Sequence, residues 1–196
     1  MWRKSTDVTN LQHWKEQGLI SPTAFQQLSA FVDLILEWNS RINLTGFKTR
    51  ESMEEKLMGD SIAALSKVQI PGKRILDFGS GAGIPGLVWA ACDPSARIVS
   101  LEIRQKKVAF QKEVLRQTSI SADVRIGLFP EAVQNEKFDI IVSRAIRFDP
   151  DLWIKGASLL NPGGQFIRFA SRETNENGWT TAPITDQSSL LIRFAS

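Results

Sequence analysis

Residues 73 to 86, Lys-Arg-Ile-Leu-Asp-Phe-Gly-Ser-Gly-Ala-Gly-Ile-Pro-Gly, constrain the fold of this chain more than any other stretch. A short apolar run, long enough for one buried strand, leads into four glycines within eight residues: Gly79, Gly81, Gly83 and Gly86. Residues 87 to 92 then read as the start of a buried helix. Strand, glycine turn and helix in that order form the layout of a nucleotide-cofactor site. Glycine permits both the sharp turn and the close approach of a ligand, because a Cβ would block each of them. The helix N-terminus adds free N–H groups and a positive dipole end. A glycine turn without a ligand is the least favoured reading, since four glycines carry an entropic cost and the sequence shows no packing return.

Gly81 to Gly86 fits G-x-G-x-x-G, the dinucleotide pattern, which is a weak signal alone. Asp77 stands two residues before Gly79, where its carboxylate can face a cationic or hydroxyl-bearing ligand. Pro85 at the helix start removes an N–H that a pyrophosphate would use. Asp-x-Gly-x-Gly-x-Gly resembles motif I of the class I S-adenosylmethionine methyltransferases, and this reading stands above a nicotinamide enzyme.

The 196 residues suit one α/β domain with an N-terminal extension. No apolar run approaches membrane-spanning length, and residues 1 to 4 lead into polar sequence rather than a signal peptide, so a cytoplasmic protein without a membrane partner is expected. A single cysteine, Cys92, excludes an internal disulfide and a cysteine-based zinc site, and a single histidine, His13, argues against histidine metal chemistry. No metal site is expected. The net charge of +3, from 24 Lys+Arg against 21 Asp+Glu, suits an RNA partner or simply a well-solvated surface.

Residues 7 to 17 have the spacing of a short amphipathic helix, with Leu11 and Trp14 on one face. Ser21 as N-cap and Pro22 at the first helical position start a second helix, whose apolar stripe predicts an end at Trp38 or Asn39. Residues 38 to 46 are rich in cap and turn residues. They read either as a helix C-cap or as a loop folding over a ligand through Asn43 and Thr45. Ser52 to Glu55 resembles a capping box opening a helix to residue 65, with Gly59-Asp60-Ser61 marking a kink or close packing. Residues 69 to 72 form a turn bordering a helical extension, 1–70, and a sheet domain, 71–196.

Beyond this turn the pattern alternates. Strands are expected at 97–102, 122–126, 138–143 and 165–169, with a helix over 104–117 and a turn over 161–164. Repeated βα units imply a mostly parallel sheet. Two last strands, 179–184 and 190–194, lie too close for a crossover and predict an antiparallel hairpin at a sheet edge.

Ligands of such sheets bind beyond the carboxyl ends of the strands. Glu102, 23 residues after Gly79, stands where an acid can accept from both ribose hydroxyls, or is a solvated strand-end acid. Phe129 lines an adenine slot or belongs to the core. Arg144 meets a cofactor carboxylate, a phosphate or a guanine edge, or makes a structural ion pair with Asp77 or Glu102. No nucleophile–base–orienter set is visible. That absence suits methyl transfer to a ring nitrogen with a free lone pair, which needs alignment and desolvation rather than a base.

Trp38-Asn39, Ile42-Asn43-Leu44-Thr45, Asp60-Ser61, the Asp77–Gly86 motif and Ser143-Arg144-Ala145 occur in the order that characterises one family. From about residue 25 onward the chain resembles the small-subunit ribosomal RNA methyltransferase G family, also called glucose-inhibited division protein B. The resemblance implies a Rossmann-like class I methyltransferase that transfers methyl from S-adenosylmethionine to N7 of a guanine in 16S ribosomal RNA. It implies cofactor contacts at Gly79, Ile84, the Phe129-Pro130 backbone and Arg144. Together with the residue-level reading, the cofactor set becomes Asp77, Gly79, Gly81, Gly83, Ile84, Glu102, Phe129, Pro130 and Arg144, with Asn43 and Arg144 lining the transfer site. A monomer with small-subunit ribosomal RNA as its partner is expected. The chain departs from the family pattern at four places. Leu57 replaces a histidine, Leu128-Phe129-Pro130 replaces Arg-Ala-Glu, Ala170 replaces a lysine and Ser188 replaces an arginine. A divergent member with an intact cofactor turn and a different substrate, or none, is the alternative.

Overall fold

The computed structural model describes residues 10–147 and 150–195. Seven strands form one sheet in the order β3-β2-β1-β4-β5-β7-β6. Strands β1 (Arg74–Phe78), β2 (Arg97–Glu102), β3 (Asp123–Ile126), β4 (Phe138–Ser143) and β5 (Leu160–Ser171) are parallel. β7 (Ser188–Phe194) runs antiparallel to both β5 and β6 (Thr180–Pro183). The expected hairpin is present, but only β6 takes the edge. β7 is internal because Leu190, Leu191 and Ile192 are all buried and need cover on both faces.

Local chemistry sets the N-terminal helices. Asn10 caps α1 (Leu11–Glu16) by accepting the His13 N–H, and Leu11 and Trp14 are buried as their spacing predicts. The expected start of this helix at residues 7–9 lies outside the described residues. Ser21 accepts the Ala24 N–H at 3.0 Å and Pro22 opens α2 (Pro22–Asn39), as read from the sequence.

The next helix differs from expectation. Its N-cap is Thr49, and Ser52 is the reciprocating third residue of the capping box, so α3 (Arg50–Met53) starts earlier. A π-helical turn, Glu54–Gly59, then interrupts the helix before α4 (Asp60–Ala64). Gly59-Asp60-Ser61 thus marks where the wide turn returns to α-helix.

Two further differences concern the second half. The turn residues 161–164 lie within β5 as an irregularity: Phe138 pairs with Leu160 before it and Ile140 with Gln165 after it. An additional helix, α7 (Pro150–Ala157), packs on β5.

Strand residues alternate between two apolar layers. Ile75, Ile98, Ile140, Val142, Ile167 and Leu190 face a layer built by the N-terminal helices with α5 (Gly86–Cys92) and α6 (Gln105–Thr118). Leu76, Phe78, Leu101, Ile141 and Phe166 face a thinner layer containing Val133, Leu159 and Trp153. In the thicker layer Phe110 of α6 meets Phe31 and Trp38 of α2, with ring centroids 6.2 and 5.6 Å apart. The fully buried Trp89 donates its indole N–H to Ser61 O at 2.8 Å. The helices of residues 10–64 therefore share one apolar core with the sheet. No helix among the described residues is long and apolar enough to cross a membrane.

Phe110 joins α2 to α6 and is completely buried. Phe110→Ala is expected to lower unfolding free energy by about 3–5 kcal/mol through the cavity it leaves, measured by urea denaturation.

Candidate functional site

The elbow after β1 returns sharply, with Gly79, Gly81 and Gly83 at φ of 64°, 60° and 89°. Its first N–H groups, of Gly79 and Ser80, both donate to Leu101 O, at 2.8 and 3.2 Å. At three of its four glycines a Cβ would crowd the protein's own side chains. A Cβ would fall 2.4 Å from Ile146 Cδ1 at Gly79, 2.5 Å from Leu87 Cδ1 at Gly83 and 2.8 Å from Asp77 Oδ2 at Gly86. This corrects the expectation that these glycines bring no packing return. Gly81 differs: the nearest atom to its Cβ position is Lys107 Nζ at 3.7 Å.

Two buried carboxylates flank the elbow. Asp77 has no exposed surface; its Oδ2 accepts the Gly86 N–H at 2.8 Å and its Oδ1 has no hydrogen-bond partner among the described residues. Burial, with a smaller push from Glu102, raises its pKa to about 7 against the opposing Gly86 N–H and Arg144. Glu102 is also buried, which removes the solvated-acid alternative. Its oxygens accept the N–H groups of Gly81 at 2.8 Å and Arg104 at 2.9 Å, leaving further lone pairs on each oxygen.

Sequence reasoning did not single out Ser80, Ser100 and Gln111, which are buried and mutually hydrogen-bonded. Gln111 also donates to Gly81 O at 2.9 Å, so this set pins the elbow from below. The available signal was a polar residue at an otherwise apolar position in β2 and another in α6.

On the β3 side, Phe129 stacks on Phe78, with centroids 4.2 Å apart and planes 20° apart. Its ring therefore belongs to the second apolar layer rather than standing free as an adenine slot. Pro130 precedes a 3₁₀ turn, Glu131–Val133, and has no N–H to give a ring nitrogen. Three exposed aliphatic side chains lie at these strand ends instead: Ile103, Ile126 and Leu128. The register pairs Glu102 with Ile126, so the three occupy neighbouring positions at the ends of β2 and β3.

Arg144, just past β4, does make an ion pair, but with a partner other than Asp77 or Glu102. Its Nη2 donates to Asp60 Oδ2 at 2.9 Å and to Lys56 O at 2.5 Å, and its Nη1 donates to Leu57 O at 3.5 Å. The guanidinium lies over the Phe169 ring, 5.2 Å from its centroid. The Lys56 and Leu57 carbonyls both belong to the π turn. Burial lowers the Arg144 pKa and raises that of Asp60, and the ion pair opposes both shifts. Ala145 follows in the left-handed region at φ 58°, a costly conformation for a residue with a Cβ. The turn it makes delivers Ile146 onto Gly79.

In the loop after α2 the organising side chain is Asn39, not Asn43. Asn39 Oδ1 accepts the Leu44 and Thr45 N–H groups, and its Nδ2 donates to Thr45 O and Phe47 O, all within 2.9–3.1 Å. Asn43 is exposed and its side chain makes no hydrogen bond among the described residues. Thr45 Oγ1 accepts the Phe47 N–H at 3.3 Å. The Cys92 thiol is pushed up to about 12 by burial, so it is not a thiolate nucleophile near neutral pH. No group of three or more metal-ligating side chains occurs among the described residues.

A sequence model described as rRNA small subunit methyltransferase G matches residues 24–187. The chain belongs to this family. It is 34% identical over 161 residues to the ribosomal RNA small subunit methyltransferase G of Anaeromyxobacter sp., covering 80% of this chain and 74% of that protein. It is 33% identical over 159 residues to the protein of that name from Chromohalobacter salexigens, covering 81% and 76%. Among solved structures, a methyltransferase from Pyrococcus furiosus superposes with a TM-score of 0.61 at 13% identity, over 87% of this chain and 98% of that one. The Thermus thermophilus 16S rRNA N2 G1207 methyltransferase, solved with AdoMet and guanosine, gives 0.55 at 17% identity, over 90% and 44%. These likenesses place the fold among class I methyltransferases.

Two of the positions read as departures from the family pattern, Ser188 and Leu57, border the Arg144–Asp60 pair. Ser188 donates to Asp60 Oδ2 at 3.1 Å, supporting the acceptor of Arg144. Leu57 offers its carbonyl to Arg144 and to Ser61 Oγ while its side chain is buried.

Asp60→Ala leaves the Arg144 charge buried without its counter-ion and is expected to destabilise the protein by about 3–5 kcal/mol in urea. Asp77 binds its proton more tightly when folded, at about 7 against 3.8 when exposed. Its contribution to stability is therefore greatest below about 3.8 and declines as pH rises to about 7. Asp77→Asn is expected to remove this part of the pH dependence, read as thermal midpoints of both proteins across that interval.

Proposed function

We propose that this chain methylates N7 of a guanine in 16S ribosomal RNA with S-adenosylmethionine as donor. The observation that carries the reading is the unpartnered, buried Asp77 Oδ1 beside a glycine elbow, in a chain of the methyltransferase G family. That oxygen lacks a donor, and the ammonium of the methionine moiety is a donor of the right charge. The site therefore fits the cofactor. Asp77 would hold the ammonium end, the backbone from Gly79 through Gly81 and Gly83 to Ile84 would border the methionine, and Glu102 would accept from the ribose hydroxyls. The Phe129-Pro130 segment would back the adenine, with the exposed Ile103, Ile126 and Leu128 supplying apolar surface. Ile146 lies over Gly79 and would give way to a ligand there.

Mechanism follows from charge and position. S-adenosylmethionine supplies a methyl group on a sulfonium, a good leaving group. Guanine N7 carries its own lone pair, so the protein's work is to align it and exclude water. Arg144 is suited to alignment: two of its five N–H donors, on Nε and Nη1, have no acceptor among the described residues, while Asp60 and two carbonyls hold the rest rigid. Asn43, exposed on the loop that Asn39 braces, would contact the target nucleotide. The same reading takes the protein as a cytoplasmic monomer, with an extension over 1–70 packed on a methyltransferase core over 71–196.

A second reading, cofactor binding with a different substrate, draws on Pro130, which cannot donate to adenine, and on Ala170 and Leu128, where family basic residues are missing. Calorimetric titration with S-adenosylmethionine and mass spectrometry of nucleosides from treated 30S RNA separate the two. Binding with N7-methylguanosine formation is expected, and Arg144→Ala is expected to lower the rate about 100-fold. Binding without N7-methylguanosine supports the second reading, and absence of binding refutes both.

A further inference from the structure

On the thinner face of the sheet, α7, β5, β7 and the connection from β5 to β6 enclose an open cleft of about 730 Å³. Two indoles and two guanidinium groups dominate it. Trp153 of α7 and Trp179 of the connection meet edge to face, with centroids 6.1 Å apart, and both rest edgewise on Phe166 beneath. Arg168 lies over the Trp179 ring and pairs with Glu176 at 2.7 Å. Arg193 lies over Trp153, its guanidinium carbon 4.3 Å from the ring centroid and 3.6 Å from the Cβ position of Gly178.

The charge of Arg193 is the informative feature. Among the described residues it has no carboxylate partner and no hydrogen-bond acceptor. A guanidinium held against an aromatic ring, with its donors unused among the described residues, is prepared for an acceptor from outside. A purely apolar ligand would leave those donors unmet. An acidic peptide would use Arg193 but not the indoles. A base with its phosphate uses both, through stacking and a charge-assisted hydrogen bond. Asn177, also lining the cleft, offers an amide to a base edge.

The cleft is near the transfer site by construction. Arg168 pairs in the sheet with Ser143, the residue before Arg144. One strand spacing, about 5 Å, separates them. Phe169, beneath Arg144, points to the opposite face from Arg168, so the cleft and Arg144 flank the same sheet end.

We infer that this cleft binds an unpaired nucleotide of the RNA substrate, its base against Trp153 and Trp179 and its phosphate on Arg193, as a second RNA-binding site beside the transfer site. The inference rests on the RNA reading above and assigns it a place on the surface.

The test uses the full chain and a short single-stranded ribo-oligonucleotide carrying 2-aminopurine, whose fluorescence falls on stacking. Wild type is expected to bind it at low salt with quenching. Arg193→Ala and Trp153→Leu are each expected to weaken binding about tenfold and to abolish most of the quenching, with S-adenosylmethionine affinity by calorimetry unchanged. Should Trp153→Leu melt early, Arg193→Lys decides: it keeps the charge but loses the planar fork of donors, and weaker binding with reduced quenching is expected. Wild-type affinity and quenching in these variants would overturn the inference, as would equal, cleft-dependent binding of blunt duplex RNA. The two readings fail separately. Cofactor binding and RNA methylation with no effect of the cleft variants removes only the second site. Cleft-dependent RNA binding without cofactor binding removes only the methyltransferase reading.

Discussion

The Arg144 guanidinium meets the Asp60 carboxylate at 2.9 Å, in a place where neither charge is well hydrated. Such a pair persists only when its surroundings supply further hydrogen bonds, because desolvation otherwise cancels the attraction. Here the π turn supplies two main-chain carbonyls to the cation, and Ser188 supplies a hydroxyl to the anion. Three distant parts of the chain meet at this point: the helices before the sheet, the end of β4 and the start of β7. The left-handed Ala145 that follows carries Ile146 to the glycine elbow, so the ion pair also sets what covers Gly79.

The elbow itself serves two demands at once. Its glycines admit Ile146, Leu87 and the Asp77 side chain at distances that no Cβ would allow. Packing alone would explain those three. It does not explain why Asp77 is buried with one oxygen unpaired, nor why Glu102 is fixed by two backbone N–H groups at the same edge. An acid buried at such cost and left incomplete is the observation on which the proposed cofactor role of Asp77 rests.

The two sheet faces differ in thickness. The N-terminal helices, α5 and α6 cover one face, and their apolar stripes merge into a single layer. The other relies on α7, a 3₁₀ turn and aromatic side chains. Over β5 and β7 its cover is made of tryptophan and arginine stacked on each other, which leaves polar groups at an aromatic surface. That composition suits a surface meeting RNA better than one closed for stability alone.

Much was legible from sequence because it depends on near neighbours. The cap at Ser21, the end of α2, the positions of β1, β2 and β4, the elbow and the family motif all follow from short-range spacing and residue chemistry. Tertiary structure decided the rest, since partners far apart in the chain leave no periodic trace. Arg144 pairs with a residue 84 positions away, where spacing alone had suggested Asp77 or Glu102. Thr49 rather than Ser52 starts the third helix, and Asn39 braces the loop after α2, because each depends on which main-chain groups the fold leaves unpaired. β7 lies inside the sheet because both its faces find apolar cover there. Local rules specified the elements and the elbow; burial and long-range hydrogen bonding chose which charges meet.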